Sequence, residues 1–158
     1  MNTVTFSLRS AKPTDADVLA RLIRHAFEAR PATDPPPSAL RETADKVAAH
    51  LTAGGGEVAE IDGVIVGGVL WSQDADSLHV SRLAVDPELR RRGIGRALLL
   101  AVEAEARRRN LIRLKLSTRV SLADNRRLFA AVGYREVQLH SHEGFTKPTY
   151  LDLERVVS

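Results

Sequence analysis

Apolar residues fall at helical spacing in the first third of the chain and at strand spacing through the middle. Val4 to Leu8 alternates apolar with polar positions and predicts a strand. Pro13, Thr14 and Asp15 open a helix in which Val18, Leu19, Leu22, Ile23 and Phe27 recur at helical intervals. Arg30 to Pro37 holds four prolines and predicts a loop. A second helix, capped by Ser38 or a neighbour, runs to about Leu51 and is broken by Gly54 to Gly56. Val58 to Ile61 and Val64 to Trp71 flank Asp62-Gly63, which predicts a hairpin. Ser77 to Val85 predicts a further strand. Gly93 to Arg109 predicts a helix with Leu98 or Leu99, Val102 and Ala106 along one stripe. A strand over Leu111 to Ser117, a short helix over Asp124 to Ala131 and a strand over Arg135 to His140 follow. Tyr150 to Leu153, with Val156 beyond, predicts the last strand.

The order β α α β β β α β α β β mixes hairpins with strands separated by helices, which implies an α/β fold with a mixed sheet and helices on its faces. The 158 residues show no repeat and no second-domain break, so one domain over 1–158 is expected. Hydrophobic residues at 44% and charged residues at 27% are an ordinary globular mix, able to build a core without metals or disulfides. The chain has no cysteine, which excludes disulfides, thiolate metal sites and a cysteine nucleophile, and suits a reducing compartment. There is no apolar signal core and no run of about 18 apolar residues, so a cytoplasmic protein with no membrane span is expected.

Within the strand 77–85 the apolar parity reverses. Leu78 and Val80 share one parity, Leu83 and Val85 the other. Either a β-bulge near Ser81 or Arg82 restores a common face, or the strand is buried on both faces. After Val85, Asp86-Pro87 turns the chain, and Arg90, Arg91, Arg92, Gly93, Ile94, Gly95 and Arg96 lead into the helix. The start of a helix exposes unpaired N–H groups and a partial positive charge, a ready anion site. Gly93 and Gly95 permit close backbone approach, and the arginines supply charge-assisted hydrogen bonds suited to a diphosphate. The net charge is only +3, but local clusters decide what a polyanion meets, so a phosphate-bearing cofactor and nucleic acid both stand as partners. A solvated basic turn is the plain alternative. Neither a dinucleotide-binding glycine fingerprint nor a Gly-Lys-Ser/Thr phosphate loop is present.

Leu83-Ala84-Val85-Asp86-Pro87 followed by Arg90-x-x-Gly93-x-Gly95 resembles the acetyl-CoA signature of the GNAT (Gcn5-related N-acetyltransferase) superfamily. Asn125, Leu128-Phe129 and Gly133-Tyr134 resemble a second family segment downstream, and the element order is similar over nearly the whole chain. The resemblance implies a mostly antiparallel sheet of six to seven strands, about four flanking helices, and a splay between the strands 77–85 and 111–117. It also implies that the backbone of Leu83 and Val85 holds the pantetheine arm, that Arg91 to Arg96 offer amides to the pyrophosphate, and that Asn125 touches the cofactor. The cofactor so implied is acetyl-CoA, with no metal.

Direct acetyl transfer needs a neutral amine, and an alkylamine of pKa about 10.4 is mostly protonated at neutral pH. It also needs a donor for the oxyanion. His79 is the candidate base, matching by resemblance a strand position where family members carry glutamate or histidine, and its ordinary pKa suits proton acceptance. A half-buried histidine with no catalytic part is the alternative. Phe129 departs from the family, many members having a tyrosine there that protonates the departing sulfur. Tyr134, Tyr150, His140 and His142 are candidate substitutes, Tyr134 foremost, each with a structural alternative. A thiol of pKa about 8.5 also departs tolerably as a thiolate.

The family resemblance places the acceptor pocket at Phe27 through Leu40 and Glu143 through Tyr150. There His25, Glu28, Asp34 and Glu143 are candidates to receive a cationic amine, and Phe145, Trp71 and Tyr150 to pack its body. His140, His142 and Glu143 lack the further ligands a metal needs. The expected function is acetyl transfer to a primary amine of a small molecule or protein. A CoA-binding sensor with little catalysis, suggested by Phe129, is the second reading. A basic RNA- or DNA-binding module is the third; it lacks aromatic platforms among the arginines. A homodimer is expected on the resemblance alone.

Overall fold

The computed structural model describes residues 5–157. Seven strands form one sheet in the order β1-β2-β3-β4-β5-β7-β6. The strands are β1 (Ser7–Ser10), β2 (Gly55–Ile61), β3 (Val64–Asp74), β4 (Ser77–Val85), β5 (Arg113–Arg119), β6 (Arg135–His140) and β7 (Tyr150–Val156). The helices are α1 (Ala16–Glu28), α2 (Ala44–Ala53), α3 (Ile94–Arg108) and α4 (Ala123–Ala131). Every pairing is antiparallel except β4 with β5. The expected α/β architecture, element order, strand number and helix number are all present.

Two cores lie on the two faces of the sheet. On one, Leu19, Ile23 and Ala26 of α1 and Val47 and Leu51 of α2 meet Val58, Leu70 and Ala84. On the other, Ile94, Leu98, Leu99, Val102 and Ala106 of α3 and Phe129 of α4 meet Leu78, Val80, Leu114, Leu116, Leu151 and Leu153. Both Leu98 and Leu99 are buried, so the α3 stripe is wider than the spacing alone required. On α1 the buried set is Ala16, Leu19, Ala20, Ile23 and Ala26, and Val18 is 39% exposed. Small alanines complete the inward face and turn Val18 outward, correcting its place in the predicted stripe.

Several boundaries move for local reasons. Strand β1 runs to Ser10 because Leu8 and Arg9 pair with Ala59 and Val58, and Arg9 is tied to Asp15 at 2.8 Å and Glu60 at 3.1 Å. Val4 lies outside the described residues. Helix α2 is capped by Thr43, whose hydroxyl accepts from the Lys46 amide at 3.2 Å, whereas Ser38 begins a separate 3-10 turn. Only Gly54 ends α2, since Gly55 and Gly56 already belong to β2. Strand β5 begins two residues late because the amides of Asn110 and Leu111 close the end of α3, bonding the carbonyls of Arg107 and Ala106. No helix among the described residues is long and apolar enough to cross a membrane.

Candidate active site

The cleft originates where two parallel strands part. β4 pairs with β5 only at Ser77–Arg113, Leu78–Leu114 and His79–Lys115. Against β3, Leu70 faces Ser81 while Gly68 faces Ala84, so three steps on β4 oppose two on β3. The additional residue is accommodated at Arg82, whose φ of 55° lies in the left-handed region. This bulge resolves the parity conflict. Leu78, Val80, Leu83 and Val85 all pack toward α3, and Ala84 turns to the opposite core. Arg82 then reaches Glu42 at 2.8 Å and the Ser38 hydroxyl at 3.0 Å, fixing the segment after the proline loop against the cleft.

One lobe of the cleft, about 730 Å³, lies at the start of α3. The Asp86 carboxylate accepts the Glu88 amide at 3.0 Å and shapes the preceding turn. Arg91 (φ 62°) and Gly93 (φ 84°) then wind the loop through left-handed conformations, which only glycine adopts without cost. The first intrahelical bond is from the Ala97 amide to the Gly93 carbonyl. The amides of Ile94, Gly95 and Arg96 precede it and take no acceptor among the described residues. Leu83, Val85, Arg90, Arg91, Gly93, Ile94, Gly95, Arg96 and Asn125 line this lobe. Arg92 is exposed and Ala84 buried, and neither is in the lining.

The second lobe, about 600 Å³, opens where β4 leaves β5. Phe27, Glu28, His79, Phe129 and Tyr150 converge on it. Arg30, Leu83, Leu122 and Asn125 border both lobes, so the two adjoin along the splay. Burial holds the His79 imidazole below its ordinary pKa, with Asp152 and Asp74 opposing and His50 and Lys115 adding to the effect. It is therefore neutral and able to accept a proton at pH 7. Tyr150 stacks on His140 with ring centroids 4.8 Å apart and lies 4.7 Å from His142. Asp152 joins His140 at 2.6 Å and the Ser117 hydroxyl at 2.7 Å.

Other expected residues lie elsewhere. Tyr134 sits in the α3-side core, edge-on to Phe129 at 6.0 Å, and its hydroxyl has no hydrogen-bond partner among the described residues. Burial raises its pKa well above the usual phenol value, and it lines neither lobe. Glu143, Asp34, His25 and Phe145 also line neither lobe, and Trp71 is a core residue. Among the described residues no group of three or more His, Asp or Glu is placed to hold a metal. Conversely, Arg30 and Arg119 line the His79 lobe without having been singled out from the sequence. Strand alternation does put Arg119 with the outward Lys115 and Ser117 of β5, a signal available beforehand.

A family model described as the acetyltransferase (GNAT) family matches residues 18–134. An uncharacterized N-acetyltransferase of Methanocaldococcus jannaschii is 42% identical over 83 residues, which is 52% of this chain and 53% of that relative. The chain thus matches about half the length of this curated relative. The PaiA N-acetyltransferase of Thermoplasma acidophilum, solved in complex with coenzyme A, superposes with a TM-score of 0.78 at 16% identity, covering 96% of this chain and 99% of that one. YncA of Salmonella typhimurium, solved with its cofactor acetyl-CoA, gives 0.76 at 20% identity, covering 99% and 95%. The ribosomal-protein-S18-alanine N-acetyltransferase of Escherichia coli gives 0.76 at 21% identity, covering 98% and 95%. At these identities the solved structures bear on the fold.

Proposed function

The chain belongs to the acetyltransferase (GNAT) family, and from that footing we propose that it moves the acetyl group of acetyl-CoA directly to an amine held in the His79 lobe. The observation that carries this reading is the set of unpaired amides on Ile94, Gly95 and Arg96 opening onto a lobe rimmed by Arg90, Arg91 and Arg96. Those groups fit a diphosphate in number and charge. Relatives of this fold are solved with coenzyme A and with acetyl-CoA, which supports the same assignment.

The pantetheine arm then follows Leu83 and Val85 along the splay toward His79 and Phe129, and Asn125 borders both lobes to meet it. His79 takes the proton of the attacking amine. The nitrogen forms a bond to the thioester carbonyl carbon, the carbon–sulfur bond breaks, and the sulfur leaves with the electron pair. No tyrosine stands at Phe129 to protonate it, so CoA departs as a thiolate and takes its proton from water. Tyr134, buried in the core, is not assigned the acid's part.

The second reading, a CoA sensor with little catalysis, draws on the same Phe129. CoA release measured over a panel of amines separates the two: turnover with at least one amine supports transfer, and tight acetyl-CoA binding with no turnover supports the sensor.

A further inference from the structure

We infer that the acceptor is an amine carrying its own anionic oxyacid group, a carboxylate or a phosphate, which Arg119 and Arg30 receive in the His79 lobe. This rests on the reading of that lobe as the acceptor side of an acetyltransferase.

The charges lining the lobe do not balance. Three arginines, Arg30, Arg82 and Arg119, face it with one carboxylate, Glu28. Arg82 is matched by Glu42 at 2.8 Å. Arg30 and Arg119 form no ion pair among the described residues. Each has one hydrogen bond, and to a main-chain carbonyl: Arg30 to Leu83 at 2.6 Å, Arg119 to Pro35. A guanidinium carries five N–H donors, so most of each fork is left for something else. Arg30 also lies 3.8 Å over the Phe27 ring, a contact that orients it without neutralising it.

A half-buried cation without an ion-pair partner is costly. Burial pulls the Arg30 guanidinium down to about 10, and the charge of Arg90 adds to this. Burial lowers Arg119 as well, against the pull of Asp34, and burial followed by the Arg119 charge lowers His142. With Glu28 the one carboxylate in its lining and Arg82 already matched by Glu42, the lobe has a positive character, and guanidinium forks fit planar carboxylates and phosphates.

The same field assists the chemistry. It disfavours an ammonium in the lobe and so favours the free amine, the form that attacks the thioester. An acceptor with only a cationic group gains nothing from entering. An acceptor with an anion gains a clamp for that anion while its nitrogen is held unprotonated. This reverses the expectation that acidic side chains collect the amine; Asp34 and Glu143 are outside the lining, and Glu28 alone remains.

Steady-state kinetics with acetyl-CoA and matched acceptors test the inference: amino acids, their carboxamides, and aminoalkyl phosphates of the same length. The carboxylate- or phosphate-bearing amines are expected to exceed the neutral amides in kcat/KM by about tenfold to a hundredfold, the scale of charge-assisted bonds. Whichever anion wins names the source. Arg119→Gln should collapse that ratio, and Arg119→Lys should retain part of it. If no acceptor in the panel turns over, calorimetry of the acetyl-CoA complex with amine-free carboxylates and phosphates decides, heat of binding supporting the inference and its absence overturning it. Neutral or polycationic amines, or a basic protein substrate, used as well as the anionic ones would overturn it. Acetyl-CoA binding measured separately keeps the two readings apart, because its failure sinks the proposed function and not merely the acceptor class.

Discussion

Arg30 donates from Nη2 to the main-chain carbonyl of Leu83 at 2.6 Å, joining the residue just beyond α1 to the bulged strand across 53 positions of sequence. That carbonyl belongs to the stretch assigned to the pantetheine arm. That carbonyl, a group the cofactor would use, thus has an internal partner. The arm is expected to compete with Arg30 for that carbonyl and to turn its fork toward the acceptor's anion. The expected kinetic order is acetyl-CoA first, acceptor second.

Arg30→Ala should therefore tighten acetyl-CoA binding by about threefold to tenfold, the worth of one net hydrogen bond no longer displaced, while raising the acceptor KM. Calorimetry and initial-rate kinetics read the two effects separately. Weaker acetyl-CoA binding in this variant contradicts the competition.

How far this was legible beforehand depends on how local each cause is. The loop from Asp86 to Arg96 acts through contiguous residues, so its turn, its glycines and its amides could be read in order. The bulge was foreshadowed by the parity of Leu78, Val80, Leu83 and Val85. Arg30 and Arg119 form their bonds across 53 and 84 positions, and no periodicity records such contacts. Tyr134 shows the opposite failure. It stands next to a familiar glycine, yet the turn after α4 bonds its amide to the Phe129 carbonyl and its ring enters the core.

His79→Gln should lower kcat by about 10²–10⁴-fold, the usual range for a general base, with little change in acetyl-CoA affinity. The pH dependence has a definite sign. Burial, the largest influence, favours the neutral imidazole, so the folded-state pKa lies below the ordinary value of about 6.5. As the proposed base, His79 should stay active at pH 7 and lose that part only as pH falls through the lowered value. Imidazole proton resonances, assigned by their absence in His79→Gln, should titrate below about 6.5. A midpoint above that contradicts the burial argument.

Phe129→Tyr should raise kcat by about tenfold, because it places a proton donor at the lobe wall where the thiolate is proposed to depart. Turnover under single-turnover conditions isolates the chemical step. An unchanged or lower rate would show that sulfur protonation does not limit transfer here.

Gly67 lies outside the cleft but packs against the start of α3. A Cβ at this position would sit 2.8 Å from Ile94 Cγ2 and 3.2 Å from Leu98 Cδ1, so its absence lets the start of α3 press against β3. Gly67→Val should cost about 1–3 kcal/mol by overpacking and weaken acetyl-CoA binding without touching it, by displacing the amide of Ile94. Denaturant unfolding and calorimetry check the two together. A destabilised variant with unaltered affinity would separate the packing from the phosphate site.

The central claim is that the amides of Ile94, Gly95 and Arg96 bind the pyrophosphate. Backbone amide resonances followed during titration with CoA test it most directly. Large, saturable downfield shifts are expected at these three residues, with a midpoint matching the calorimetric Kd. CoA binding that leaves them unmoved, or no binding at millimolar CoA, contradicts it.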